Sequence, residues 1–173
     1  EWNPEVQVSV IPEFLQDENI LPLIRQYDFV VDASDQLQNK FLINDACVIA
    51  GVPFCHGGIE GWDGQVMTYL PKQNLPCYRC VFESLPADQE SKPIGVIGVT
   101  AGIIGTIQAS EAIRYLLGEQ DGLLKGTLLR FSGQTMQFRK IPLGKCAPHC
   151  PVCHSVPDAN PLQWYQKFRN HKK

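Results

Sequence analysis

Two Cys-x-x-Cys pairs constrain this chain more than any other feature: Cys77-Tyr78-Arg79-Cys80 and Cys150-Pro151-Val152-Cys153. Two cysteines spaced in this way place both sulfurs on one side of a tight knuckle. Two knuckles together make a tetrahedral four-thiolate site for zinc, with Zn–S bonds of roughly 2.3 Å. A single Cys-x-x-Cys can instead be a redox motif, but redox chemistry needs no second copy. Pairing by chance in a chain of 7 cysteines is the other reading. Four thiolates would fill the coordination sphere of zinc, leaving no position for water, so the metal would be structural. Cys146 is a reserve ligand, although its spacing to Cys150 suits a knuckle less well. Thiolate metal chemistry points to a reducing, cytoplasmic compartment, and an odd number of cysteines leaves at least one unpaired in any intramolecular disulfide scheme.

The 173 residues, 44% of them hydrophobic, are enough for one full core. With 15 basic and 18 acidic residues the formal charge is −3, which excludes the basic field of a nucleic-acid binder. The most apolar run, Ile94 to Ala109, is interrupted by Gly95, Gly98, Gly102 and Gly105 and is too short and broken to span a membrane. The chain opens on Glu1 without a methionine or a signal peptide, like a piece of a longer polypeptide.

Residues Val6 to Ile11 alternate as a strand does, and Asn19 to Gln26 suits a short helix. Tyr27 to Asp32 reads as a buried parallel strand, Gln36 to Ala50 as a helix closed by Gly51, and Pro53 to His56 as a second strand. The glycines at Gly57-Gly58 and from Gly61 to Gly64 then separate it from a strand over Gln65 to Leu70. Glu83 to Pro93 reads as a mobile loop. A long helix from Val99 to Gly118 carries Ile103, Ile107, Ile113, Leu116 and Leu117 on its apolar stripe, with glycines that would admit a neighbouring backbone. Strands over Gly126 to Phe131 and Thr135 to Ile141 close the pattern as a hairpin. One α/β domain with an antiparallel extension accounts for this order.

Asp32-Ala33-Ser34-Asp35 lies at the carboxyl end of the first buried strand, where open α/β sheets gather ligands. A carboxylate there can hold Mg²⁺ opposite nucleotide phosphates. The same Asp35 is equally an ordinary helix N-cap, and Asp32 a strand-end carboxylate bonded to loop amides. Neither Gly-x-Gly-x-x-Gly nor Gly-x-x-x-x-Gly-Lys-Ser/Thr occurs, so the chain by itself has no phosphate cradle.

Asn3-Pro4, YDFVVDASDQLQNKFLINDACVIAGVPF, GWDGQVMTY, PCYRCVF, GVIGVTAGIIGTIQASEAIRYLLG and the closing CPVC run from residue 3 to 153 in one order. In these segments the chain resembles the C-terminal portion of the HesA/MoeB/ThiF family, prokaryotic relatives of ubiquitin-activating enzymes. The resemblance implies a Rossmann-like mixed α/β sheet over residues 1–153, lacking the N-terminal nucleotide-binding strands, with 154–173 as a tail. It also implies adenylation of the C-terminal Gly-Gly of a small ubiquitin-like sulfur carrier, using ATP and Mg²⁺. Carried over residue by residue, Asp35 is the Mg²⁺/ATP aspartate and the one catalytic residue implied here, within Ser34-Asp35-Gln36 where the family has Thr-Asp-Asn. Lys40 stands where an arginine is usual and Asn44 matches the family's asparagine; both are implied to bind the nucleotide, with a solvated helix surface as the plain alternative. Gln65 would line the channel for the carrier's tail, or simply pack at a strand edge. Cys77, Cys80, Cys150 and Cys153 match the zinc ligands.

Two departures stand out. The reactive cysteine of many members is Ser91 here, a far weaker nucleophile than a thiolate. Cys47 reads as a buried hydrophobe, and Cys55 and His56, as strand neighbours, point to opposite faces and form no dyad. The family's glycine-rich loop, arginine and catalytic lysine precede the segment matching Asn3-Pro4, so catalysis by this chain alone is not expected. A companion chain or a missing N-terminal portion would complete the unit, and the complete units would form a homodimer. The alternative is a non-catalytic scaffold that binds a ubiquitin-like protein.

Overall fold

The structure is a computed structural model, and it describes residues 3–82 and 95–156. Nine elements follow in the order α1 (Ile20–Ile24), β1 (Val30–Asp32), α2 (Leu37–Ala50), β2 (Phe54–Glu60), β3 (Asp63–Tyr69), α3 (Tyr78–Val81), α4 (Gly98–Leu116), β4 (Thr127–Ser132) and β5 (Gln137–Pro142). The strands form one mixed sheet in sequence order. β1 is parallel to β2, with Asp32 opposite His56, and every later pair is antiparallel. The parallel step needs a crossover, which α2 supplies. Helix α2 ends where glycine permits it: Gly51 has φ +69° and its N–H reaches the carbonyl of Val48.

A core lies on each face of the sheet. On one side Ile20, Ile24, Phe41, Ile43, Ala46 and Ile49 of α1 and α2 pack with Phe54, Met67 and Tyr69. Val152 and the cysteines of the two knuckles belong to the same core. On the other side α4 covers Cys55, Val66, Leu129 and Phe131. Cys55 and His56 thus face opposite ways, as their adjacency on a strand requires.

Several expectations change. Val6 to Ile11 is no strand; Val8 and Val10 are 80% and 82% exposed. A strand forms only beside a partner, and among the described residues β1 pairs with β2 alone, leaving its other edge without one. The glycines after His56 do not end the strand, since β2 runs through Gly57-Gly58 to Glu60. Helix α4 turns Thr100, Ile104, Gln108 and Glu111 inward, while Ile113, Leu116 and Leu117 are exposed. Its inner stripe is therefore half polar and escaped an apolar count. The close approach is made by sheet glycines, not helix glycines. A Cβ on Gly57 would lie 2.4 Å from Gln108 Oε1 and one on Gly64 would lie 2.5 Å from Ile104, whereas Gly98, Gly102 and Gly105 face open space. Ser91, the loop 83–93 and residues 157–173 of the expected tail lie outside the described residues. Among the described residues no helix is long and apolar enough to cross a membrane.

Candidate functional site

Two sites share the sheet. The first is the cysteine cluster. Cys77, Cys80, Cys150 and Cys153 place their Sγ atoms within 4.8 Å of one another. The separations are 3.9 Å for Cys77–Cys80, 3.6 Å for Cys77–Cys150 and 3.4 Å for Cys80–Cys153. A tetrahedron of sulfurs about 2.3 Å from a central ion has edges of about 3.8 Å, so the donor set fits zinc in number, softness and size.

Helix α2 holds the first knuckle in place. Asn44 Oδ1 accepts the N–H of Tyr78 at 2.8 Å, and its Nδ2 donates to Asp45 Oδ1 at 2.9 Å. Arg79 donates from Nε and Nη2 to the two oxygens of Asp45 at 2.6 and 2.8 Å, and lies over the Phe41 ring. This fork-to-fork pair fixes the peptide between the two sulfurs. The second knuckle is held by Ser155 Oγ donating to the Cys150 carbonyl, and the Ala147 N–H donates to Cys80 Sγ.

The second site is a cleft of about 790 Å³ over the carboxyl end of β1, reaching across β2 and β3 to α4. Ser34, Asp35, Lys40, Gly58, Gln65 and Arg130 are among its lining residues. Asp35 is exposed in it, and the N-cap position of α2 is Gln36, which makes no side-chain cap bond. The N-cap reading of Asp35 therefore does not hold. Lys40 is buried rather than solvated, with Nζ donating to the Gly57 carbonyl at 2.8 Å and standing 3.8 Å from Asp32. Gln65 and Arg130 are opposite one another on β3 and β4. Asn44 does not line the cleft; it is fully buried and committed to Tyr78 and Asp45.

Beneath the cleft lies a buried polar network. Asp32 Oδ1 accepts both the N–H and Oγ–H of Ser34, at 3.0 and 2.6 Å, which shapes the turn that carries Asp35. Its Oδ2 is 3.0 Å from Nδ1 of His56, and Gln108 Nε2 donates to the carbonyls of Asp32 and Cys55 at 2.8 and 3.1 Å. Burial opposes ionising Asp32, but hydrogen bonds from His56 and Ser34 and the Lys40 charge prevail, holding its carboxyl below the usual range. Burial lowers both the His56 imidazole and the Lys40 ammonium, with Asp32 opposing it in each case. A neutral His56 gives its Nδ1 proton to Asp32, leaving Nε2 an acceptor without a protein partner among the described residues. A Cβ on Gly58 would lie 3.4 Å from that nitrogen. Burial pushes the thiols of Cys47 and Cys55 up, the latter to about 12, and both behave as core residues.

His56, Gln108 and Arg130 were not singled out by their sequence context. The one signal for His56 is register: once β1 and β2 are aligned in parallel, Asp32 and His56 are partners. Gln108 and Glu111, with Thr100, are polar residues on the buried stripe of α4, and a polar group in a buried stripe demands a bonding partner.

The model of the ThiF family matches residues 1–152. The chain belongs to the ThiF family. Similar relatives include the sulfur carrier protein adenylyltransferase of Thermus thermophilus, 39% identical over 173 residues, a stretch that is 96% of this chain and 63% of that protein. The adenylyltransferase and sulfurtransferase MOCS3 of Dictyostelium discoideum is 35% identical over 171 residues, which cover 97% of this chain and 40% of the relative. The SAMP-activating enzyme E1 of Haloferax volcanii is 38% identical, with 87% of this chain and 56% of that protein matched. The chain thus spans between 40% and 63% of the length of these relatives. Among solved structures, MccB of E. coli superposes with a TM-score of 0.73 over 90% of this chain and 47% of its own, at 20% identity. That likeness is one of fold. The mixed sheet with a four-cysteine cluster is the ThiF-type architecture expected from sequence.

Proposed function

We propose that this ThiF-family chain is part of an adenylyltransferase that activates the C-terminal Gly-Gly carboxylate of a ubiquitin-like sulfur carrier. In that reaction a carboxylate oxygen of the carrier attacks the α-phosphorus of ATP, giving an acyl adenylate and pyrophosphate. The observation that carries the reading is the cleft itself, whose lining includes the exposed Asp35, Lys40 with its ammonium anchored on the Gly57 carbonyl, and Gly57, Gly58 and Gly64. Asp35 is the residue that would hold Mg²⁺, whose charge would offset that of the phosphates. Lys40 adds a cation as a point charge, without the bidentate geometry of an arginine. Gln65 and Arg130 would line the path of the carrier's tail. Asn44 is read here as the clamp on the first knuckle and no longer as a nucleotide ligand.

Cys77, Cys80, Cys150 and Cys153 would hold zinc, which when bound cross-links two distant segments and supplies no reactive position. The phosphate-binding groups would come from outside these residues, and the complete protein is proposed to be a cytoplasmic homodimer.

The test is carrier-dependent ATP–pyrophosphate exchange by the full-length protein and its Asp35→Asn variant, with zinc content matched. Asp35→Asn keeps the size and removes the charge, so exchange should fall at least ~100-fold. Equal rates would remove Asp35 from the mechanism. Absence of exchange by the wild type with every Gly-Gly-ended carrier would replace the enzyme with a scaffold that binds such a protein. Ser91 in place of the family's reactive cysteine and Gln36 in place of its asparagine are the residues that favour the scaffold.

A further inference from the structure

A fifth sulfur stands against the four-thiol cluster. Cys146 Sγ is 2.8 Å from Cys153 Sγ, closer than any of the 3.4 to 3.9 Å separations inside the cluster. Cys146 is not one of the four sulfurs that lie mutually within 4.8 Å, so it touches Cys153 from outside the space a single ion would occupy. The segment between them folds back on itself. The Cys146 N–H is anchored on the Asn74 carbonyl at 3.1 Å, and the Cys150 N–H reaches the Ala147 carbonyl at 3.0 Å. Cys146 and Cys153 are both partly exposed, whereas Cys77 and Cys150 are buried.

We propose that Cys146 and Cys153 are an oxidation-sensitive pair, which hydrogen peroxide converts to a disulfide at the expense of the four-thiolate site. The chemistry balances without a further reactant. The Cys153 thiolate attacks the distal oxygen of the peroxide; an S–O bond forms, the O–O bond breaks and hydroxide leaves. Cys146 sulfur then attacks the resulting sulfenic acid; an S–S bond forms, the S–O bond breaks, and the oxygen leaves as water with the Cys146 proton. The thiolate and the thiol lose two electrons in total, and hydrogen peroxide becomes one water and one hydroxide, which takes its proton from solvent. Closing the bond requires the sulfurs to move about 0.8 Å nearer, to the usual 2.05 Å. Once tied to Cys146, Cys153 is no longer a thiolate donor, and three sulfurs hold zinc more weakly than four. A thiol or phosphine reductant restores both sulfurs. The two core cysteines do not compete, because Cys47 and Cys55 are fully buried.

This inference rests on the proposed zinc site and is independent of the proposed adenylation. The experiment uses the full-length protein, purified anaerobically with zinc, and its Cys146→Ser and Cys146→Ala variants. Each is treated with a few equivalents of hydrogen peroxide while a chromogenic chelator reads zinc release and peptide mass spectrometry maps disulfides. Wild type should form one dominant disulfide, Cys146 to Cys153, with zinc released in step and recovered after phosphine reduction. Both variants should start with the wild-type zinc content and release it at least ~10-fold more slowly. Release at the wild-type rate, or a dominant disulfide between any other pair, would overturn the proposal. Variants isolated without zinc would overturn it too, since Cys146 would then be a ligand. Should the wild type bind no metal, the zinc reading fails and the disulfide map alone decides the pair.

Discussion

Gly57→Ala tests whether the polar network beneath the cleft depends on a missing side chain. Gly57 is not at positive φ, so the strand backbone tolerates alanine. The obstacle is Gln108. A methyl group would lie 2.4 Å from its Oε1, 2.5 Å from Cδ and 2.7 Å from Nε2, all well inside contact distance. The end of a glutamine can swing away, yet this one is 3% exposed and donates to two carbonyls. Displacing it by about 1 Å breaks two bonds worth about 1 kcal/mol each and strands a buried amide at about 1–3 kcal/mol more. Alanine returns about 0.5–1 kcal/mol by restricting the unfolded chain. The net loss should be about 2–4.5 kcal/mol.

Urea unfolding with saturating zinc should therefore show the midpoint falling by about 1–2 M at an unchanged slope. A control stands next door: a methyl on Gly58 has as its nearest neighbours the Gln65 side chain at 3.3 Å and His56 Nε2 at 3.4 Å, so Gly58→Ala should cost under about 1 kcal/mol. The sharper test is a cycle with Gln108→Ala, which removes the group that collides. In that background Gly57→Ala should cost almost nothing, giving a coupling of at least about 2 kcal/mol. Additive losses, or equal costs at Gly57 and Gly58, would refute the reasoning.

Three other expectations follow from the same geometry. Freshly purified protein should carry close to one zinc per chain by elemental analysis, and Cys77→Ser should lower both zinc content and thermal stability; a zinc-free wild type with four freely alkylated thiols would contradict this. Arg79→Ala should cost about 3 kcal/mol in urea, because it leaves the buried Asp45 carboxylate without its fork; a loss under about 1 kcal/mol would show the pair to be dispensable. His56 is held below its ordinary 6.5 in the fold, so as pH falls past that value the unfolded chain takes up a proton that the native state refuses, and stability drops. Tyr78 packs edge-on against the imidazole, while Asp32 and Lys40 are the charges that face it. His56→Gln keeps a donor for Asp32 and should flatten the slope between pH 6.5 and 5 by up to about 1.4 kcal/mol per pH unit, measured by urea midpoints; an unchanged slope would clear His56 of that role.

Legibility in the sequence followed the range of the forces involved. The four cysteines announced their cluster because zinc accepts few donor types at few spacings, and the segment order announced α2, β3 and the β4–β5 hairpin because burial imprints a period on each. Val6 to Ile11 shows the limit of that imprint. Alternation there is as regular as in any strand of the fold, but a period describes only the chain that carries it, and a strand also needs a neighbour. Asp32 and Asn44 show a second limit. Each looked like an ordinary polar residue at a strand end or helix surface, and each is buried at the crossing of several elements.

Helix α4 exposes the cause most clearly. Its outward leucines and isoleucines dominate any hydrophobic count, yet Gln108 and Glu111 lock it to the sheet. Glu111 Oε2 accepts from Thr68 Oγ1 at 2.5 Å and from the Leu124 N–H at 2.8 Å, while Gln108 ties the carbonyls of β1 and β2. These bonds join residues far apart in the chain, and neither partner marks the other in the sequence. Together they tie the middle of α4 to the end of β1, to Cys55 on β2 and to Thr68 on β3. The turn bearing Asp35 hangs from the same Asp32 that His56 and Lys40 share. If Asp35 presents its carboxylate to a metal as proposed, it must be fixed to within a fraction of an ångström, and the turn that carries it is shaped by Ser34 and the fully buried Asp32. That is why the exposed Asp35 was readable from its place at a strand end, while the residues that make its position useful emerged only once the sheet was assembled.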